Sequence, residues 1–384
     1  MGGVADYTAQ LAEQLKARGC ALQIITTAVP GVRASEEISP IPHWTPGSIR
    51  QITRVICGFR ADIVHLQYQT AAFGLSWVAN ALPALLRAQG IRAPLITTFH
   101  DLRPPYLFPR AGRLRPLATH LLLGGSRMSI FTEPADLVRA HPRRPSFWIP
   151  IGAGVAADPQ QVPSRSHARN RLGIDAETQV VAFFGFVNHS KGVEVLIRAA
   201  ERLLHQARDI VVLFIGEGVG ASDPTNRVTL REVEEEAARR GVARHMLHTG
   251  PLSSAEVSCA LAAADCAALP FSDGASLRRS SLLTCLAHGV PVVTTIPTPT
   301  PTLAHGHLIE PFTEQSGVAL GEERMVLVPR GDDAELARRV AELLDDPARR
   351  DQLGEAGRAL AARLSWPRIA EATLAVYAHA LQPA

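Results

Sequence analysis

Two doubly wound α/β domains are the architecture this sequence predicts, and three observations carry it. Short, β-branched apolar runs alternate with segments of helical periodicity along the whole chain. A stretch with linker composition, 152–168, carrying Pro159, Pro163, Ser164 and Ser166, divides the alternation into two series. At 384 residues the chain also exceeds what one hydrophobic core ordinarily organises, so two cores are expected.

In the first series the strand patterns fall at 22–27, 63–67, 95–100, 129–133 and 147–151. In the second they fall at 180–187, 210–216, 246–249, 266–270, 290–295 and 325–328. Helical patterns include 7–18, 193–204, 230–240 and 334–344. Apolar strands of this length, interleaved with amphipathic helices, form parallel sheets covered on both faces. The expected division is a first domain over 1–160 and a second over 161–364, with 365–384 as a last helix returning to the first. Such sheets bind ligands beyond the carboxyl ends of their strands, so the domains are expected to face across a cleft and the chemistry to follow each strand. The pattern opens on a helix with no strand before it. A doubly wound domain normally begins with a central strand, whose loss leaves two neighbours with unpaired backbone groups. The first strand therefore looks to be missing, and the native chain is expected to start upstream of Met1.

Composition bounds the function. With 46% hydrophobic and 20% charged residues the chain is of ordinary soluble globular type. No apolar run approaches the roughly 20 residues of a membrane-spanning helix, and residues 1–6 lack the basic and apolar regions of a signal peptide. The five cysteines form no CxxC pair, which fits small core thiols in a reducing cytoplasm. The net charge of +3 is uneven, +7 through residue 160 and −4 beyond it. A basic first half suits peripheral contact with an anionic membrane or an acidic substrate, and equally a solvated arginine-rich surface. No arginine stripe interleaved with aromatics supports nucleic-acid binding. No strand is followed by GxGxxG with an acidic residue about 20 positions on, which argues against a dinucleotide-dependent dehydrogenase. The scattered histidines lack ligand spacing, so no metal and no cofactor are expected.

Two segments carry candidate chemistry. In the first, the strand ends at Gly185 and leads through Phe186, Asn188 and Ser190 to Lys191-Gly192 and a helix. A glycine there admits a ligand to the backbone, the helix amino terminus offers free N–H groups, and Lys191 adds a point charge suited to a diphosphate. The same residues also describe a turn with a solvated lysine. Lys191 is one of only two lysines, with Lys16. The second segment runs from Leu269 through Asp273-Gly274-Ala275-Ser276 to Arg278-Arg279 and a short helix, then Gly289 and another apolar strand. Gly274, Ala275 and Ser276 permit close approach and supply a hydroxyl, while the arginines can grip phosphate oxygens. A solvated helix start is the other reading of Arg278-Arg279, but cations at a helix amino terminus oppose its dipole unless an anion is bound.

With these pieces in order, the chain resembles the retaining glycosyltransferases of sequence family four, which have the GT-B fold of two Rossmann-like domains. The similarity runs nearly end to end: Gly2-Gly3-Val4 with Tyr7, Asp62-Ile63-Val64-His65, Thr98-Phe99-His100-Asp101 and Ile149-Pro150-Ile151-Gly152. It continues through Lys191-Gly192, Thr249-Gly250, Ala264-Asp265, Gly289-Val290-Pro291-Val292-Val293, Val328-Pro329-Arg330-Gly331-Asp332 and Ser365-Trp366. The resemblance implies that the second domain binds a nucleoside-diphosphate sugar and the first an acceptor. It implies that Lys191 holds the diphosphate, that Gly2-Gly3 approach the donor phosphates, and that His100 faces the transferred sugar. A satisfied histidine closing a strand is the other reading of His100.

Two departures stand out. Phe186 occupies the position where the family commonly has arginine. Two glutamates eight positions apart, for the sugar and the ribose, are commonly found where this chain has Ser276 and Thr284. Arg278 or Arg279 is expected to replace the arginine, with Ser276 and backbone N–H groups meeting sugar or phosphate. Asp273 is a candidate stand-in carboxylate, although Asp-Gly is as readily a turn. The expected donor set is Gly2, Gly3, Gly185, Lys191, Gly250, Asp273, Gly274, Ala275, Ser276 and Thr284. The expected catalytic set is His100, Lys191, Arg278 and Arg279. The resemblance implies a metal-independent hexosyl transfer with retention, to a glycan, lipid-linked or small-molecule acceptor. A catalytically impaired binding or scaffold protein and a GT-B nucleotide-sugar epimerase are the alternatives.

Overall fold

The computed structural model describes residues 3–28, 33–103, 115–158, 160, 162–216 and 225–383. The chain forms two compact units. The first comprises Val4–Ile151, Thr300–Gln315 and Trp366–Ala384, and the second Gly152–Pro299 and Ser316–Ser365.

The first unit begins with helix α1 (Gly3–Lys16), whose Tyr7, Leu11, Ala12 and Leu15 form one buried face at helical spacing. Strands β1 (Ile24–Thr27) and β2 (Ile38–Ile41) pair in parallel as a sheet of their own. The strand pattern of the sequence omits β2. Its Ile-Ser-Pro-Ile run holds a proline, which a sheet tolerates only at an edge, and both strands of a two-stranded sheet are edges. After α2 (Ile49–Phe59) comes a parallel sheet in sequential order. It contains β3 (Val64–Tyr68), β4 (Leu95–Phe99), β5 (Met128–Phe131) and β6 (Ser146–Trp148). Helices α3 (Val78–Ala88), α4 (Arg115–Gly125) and α5 (Pro134–Ala140) connect these strands. Every residue of β4 and β5 is buried, as strands covered on both faces require. β3 is an edge strand and alternates between buried and partly exposed positions.

The second unit starts with α6 (Arg165–Leu172), followed by β7 (Gln179–Phe184), α7 (Val193–His205), β8 (Ile210–Ile215), α8 (Thr225–Arg239) and β9 (Met246–His248). Then come α9 (Ser254–Ala262), β10 (Cys266–Leu269), α10 (Ser280–Ala287), β11 (Val292–Thr295) and β12 (Val326–Val328). Helices α11 (Asp333–Asp345) and α12 (Pro347–Arg363) close the unit, and α13 (Trp366–Leu381) belongs to the first. All six strands are parallel, in the order β12-β11-β10-β7-β8-β9. The chain leaves β7 toward β8 and β9, then returns to lay β10, β11 and β12 on the other side. The reversal lies between β7 and β10, and it is at such a point that a doubly wound sheet opens a crevice beyond its carboxyl ends.

A buried ion cluster ties the entry of this unit to its sheet. Asp265, just before β10, accepts from Arg169 Nη2 of α6 at 2.8 Å and from the Val180 N–H of β7 at 2.6 Å, and also meets Arg165. Arg169 is 4% exposed and Asp265 6%, so each charge depends on the other for compensation.

Candidate functional site

The two loops that the sequence singled out flank this reversal point. After β7 the chain passes Gly185 and turns at Asn188, whose side chain accepts from the Ser190 N–H at 3.1 Å and the Ser190 hydroxyl at 2.8 Å. That turn delivers Lys191 and Gly192 to the start of α7. Gly192 has φ +62°, and a Cβ there would lie 2.0 Å from the Pro270 carbonyl oxygen, so only glycine fits. The close approach locks the first loop onto the second, and the Ser272 N–H to Ser190 carbonyl bond at 3.2 Å completes the lock.

The second loop leaves β10 at Pro270 and buries Phe271 fully. Phe271 receives two cations: Lys191 Nζ lies 5.0 Å and the Arg279 guanidinium carbon 4.6 Å from its ring centroid. Lys191 donates to the Ser281 hydroxyl at 2.7 Å. Arg279 donates to Ser190 Oγ at 3.2 Å and pairs with Asp273. Burial, then the neighbouring Arg279, pull the Lys191 ammonium down to about 7, and burial likewise lowers Arg279. Helices α7 and α10 both begin without a side-chain cap, leaving their first N–H groups available to an anion. Hydroxyls, two cations and two helix dipoles therefore converge where the sheet reverses.

The remaining expected residues divide. Gly274 is buried with φ +94°, and a Cβ there would meet the Ile296 carbonyl oxygen at 2.9 Å. The Ala275 N–H bonds to the Thr295 carbonyl at 3.3 Å, and Ser276 is partly exposed on the same loop. Gly250 follows β9 on the same carboxyl edge, two strands from β7, in an isolated bridge with Gly216. Arg278 is exposed beside Arg279, so of the two arginines it is Arg279 that joins Lys191. Phe186 is half-buried. Thr284 departs from the expectation of a donor contact. It is fully buried, and its hydroxyl accepts from the Gly154 N–H at 3.0 Å and the Val155 N–H at 3.3 Å, which holds the start of the second unit on α10. Sequence reasoning assigned no role to Phe271, Ser190 or Ser281. Ser190 precedes Lys191 and Ser281 follows Arg279 by two positions, and that proximity to candidate residues is the available signal.

In the first unit His100 follows β4 directly and is half-buried. Its Nε2 lies 3.0 Å from Gln67 Oε1, and its ring meets Tyr7 edge-on at 4.6 Å. Tyr7 in turn packs on Trp366 of α13 at 5.1 Å. Burial and the nearby His65 hold the His100 imidazole neutral, its protonation pushed down to about 3. Gly3 opens α1, while Gly2 lies outside the described residues. A hollow of about 670 Å³ at the amino ends of β4 and β5 is lined by Arg87, Arg92, Arg127 and Arg144. It lies on the edge of the sheet opposite His100. Three of its arginines cap the carbonyls of Gly125, Gln382 and Gly124, which gives them a structural role.

Both halves of the chain match known families. Residues 1–147 match the Glycosyltransferase Family 4 model and residues 178–346 the Glycosyl transferases group 1 model. The chain is thus a glycosyltransferase of the family 4 type with the GT-B fold. It is 25% identical to a D-inositol 3-phosphate glycosyltransferase of Kineococcus radiotolerans, across 99% of this chain and 91% of that protein. Among solved structures, Anabaena HepE in complex with UDP and glucose superposes with a TM-score of 0.71 at 16% identity, covering 98% of this chain and 96% of that one. Sucrose-phosphate synthase from Thermosynechococcus elongatus gives 0.70 at 20% identity, covering 98% and 93%. Among the described residues no helix is long and apolar enough to cross a membrane.

Proposed function

We propose that this protein moves a hexose from a nucleoside-diphosphate sugar to an acceptor hydroxyl with retention of anomeric configuration. The observation that carries the reading is the seating of Lys191 and Arg279 on one buried ring at the reversal point of the second sheet. In this reading both cations and the amino termini of α7 and α10 hold the diphosphate. As the glycosidic bond breaks, negative charge grows on the leaving diphosphate, and groups fixed in advance stabilise it without reorganising. The leaving oxygen then takes the acceptor proton on the same face of the sugar, with no covalent enzyme intermediate and no metal. Ser276 and the backbone N–H groups of its loop replace the missing carboxylate toward the sugar. His100 meets a sugar hydroxyl, and the first unit takes the acceptor. Its excess of positive charge favours an acceptor at an anionic membrane surface.

One observation favours a second reading, a donor-binding protein that turns over slowly or not at all. Thr284 stands where the family's ribose carboxylate is expected and is tied to Gly154 and Val155. A thermal-shift screen across UDP-, GDP- and ADP-sugars tests the shared premise, since a specific ligand raises the melting temperature. Release of nucleoside diphosphate from the stabilising sugar then separates the readings: transfer or hydrolysis supports the enzyme, and binding without turnover supports the scaffold. No stabilisation by any of the three classes would defeat both.

A further inference from the structure

Behind His100 runs a chain of hydrogen bonds that the proposed function does not use. His65 and Gln67 alternate along β3 and so share a face of the sheet, with Thr98 of β4 in register opposite Gln67. Gln67 Oε1 lies 3.0 Å from His100 Nε2, and Gln67 Nε2 lies 3.3 Å from His65 Nε2. His65 Nε2 also lies 2.8 Å from Thr98 Oγ1, and His65 Nδ1 lies 2.6 Å from the Tyr377 hydroxyl on α13.

A primary amide has one end that only accepts and one that only donates, so its orientation decides where the protons of both rings lie. The carbonyl end facing His100 requires a proton on His100 Nε2. The amino end facing His65 requires a bare His65 Nε2, so the His65 proton sits on Nδ1 and is donated to Tyr377. Thr98 then donates its hydroxyl proton to the same bare nitrogen. Both rings are neutral, since burial pushes each down to about 3. Among the described residues His100 Nδ1 has no hydrogen-bond partner, while its Nε2 is taken.

We infer that Gln67, held from behind by His65 and Tyr377, is a positioning residue that fixes His100 as the Nε2–H tautomer and leaves Nδ1 as the acceptor for a substrate hydroxyl. The substrate part of this inference rests on the reading that His100 faces the transferred sugar. The tautomer part rests on the hydrogen-bond geometry of two buried rings and does not depend on that reading. A substrate group meeting this ring must then donate a proton, so the site recognises a hydroxyl and rejects a deoxy or methoxy analogue at that carbon.

The test is long-range proton–nitrogen NMR on protein labelled at histidine nitrogens, with His100 assigned by loss of its signals in H100N. The expected result is His100 in the Nε2–H form. Gln67→Leu is expected to release it to a mixture or to the Nδ1–H form, and Gln67→Glu, which keeps an acceptor at that point, to restore Nε2–H. An Nδ1–H ring in the parent protein, an unchanged tautomer in Q67L, or a Q67E spectrum like that of Q67L would each overturn the assignment. These outcomes do not depend on catalysis, so they separate from failure of the glycosyltransferase reading. Once transfer has been detected, Q67L is expected to lower kcat/KM about three- to tenfold, the worth of one oriented hydrogen bond, with nucleotide affinity unchanged. Unaltered kcat/KM would refute the positioning role even where the tautomer shifts.

Discussion

Binding of a nucleotide sugar to this protein should take up a proton. Lys191 is held at about 7 by burial and by Arg279 across the Phe271 ring. A diphosphate set beside it favours the charged form and returns it toward the ordinary lysine value of about 10.4. Below pH 7 the ammonium is already present, so affinity should be flat. Above pH 7 each unit should remove a factor approaching ten, since the neutral amine must capture a proton in order to bind. The expected loss is about tenfold from pH 6 to pH 8, and about another tenfold by pH 9. The nucleotide sugar is a suitable probe because its diphosphate, esterified at both ends, does not titrate in the neutral range. Cys285, buried nearby, is pushed up to about 12 and stays a thiol throughout. Calorimetry in two buffers of different ionisation enthalpy should find close to one proton taken up per site at pH 8 to 9, and Lys191→Met should abolish both slope and uptake. Stability of the empty protein should move the other way. From pH 7 toward 10.4 the unfolded chain keeps a proton that the folded one has shed, so this group makes the fold more stable as pH rises. Affinity that stays constant from pH 6 to 9 with no proton uptake, or K191M with the parent's slope, would refute the argument.

Three further outcomes follow from the geometry. Arg279→Glu should weaken nucleotide-sugar binding about tenfold or more, while Arg278→Glu, on the surface, should change it less than about threefold; calorimetry giving equal effects would remove Arg279 from its assigned place. Asp265→Asn should destabilise the protein by about 3–5 kcal/mol in urea unfolding, because Arg169 would be left as a buried charge without its counter-ion, and a loss below about 1 kcal/mol would show that the cluster is not needed. Thr284→Val should cost about 1 kcal/mol through the freed Gly154 and Val155 N–H groups and leave nucleotide affinity as it was. A tenfold loss of affinity in that variant would return Thr284 to the donor site.

What was legible in the sequence was what depends on periodicity and local chemistry. The two loops were found because small residues, a lone lysine and paired arginines followed apolar strands, and ligands gather at that end of a parallel sheet. Which arginine enters the site was not legible, since it depends on how α10 is rotated at its first turn. Thr284 was assigned a donor contact by its distance from Gly289, but a threonine reaches far less than a glutamate, and here the Gly154–Val155 backbone has taken its hydroxyl. β2 was hidden by Pro40. The bond from His65 to Tyr377 spans 312 positions, and no local pattern announces a partner so distant. The return of Thr300–Gln315 to the first unit was hidden for the same reason.

The placement of α13 has a consequence for how the chain is made. The first unit takes its last helix from Trp366–Ala384, and with it Trp366 against Tyr7 and Tyr377 against His65. An early segment of the chain is therefore completed by one that follows the whole of the second unit. Domains that are continuous in sequence can close in order as they leave the ribosome. Here β3 and β4 must wait, with their histidine network open at one end, while the whole of the second unit is built. A chain cut short before Tyr377 therefore carries the whole of the second unit but leaves His65 of the first without its ring partner.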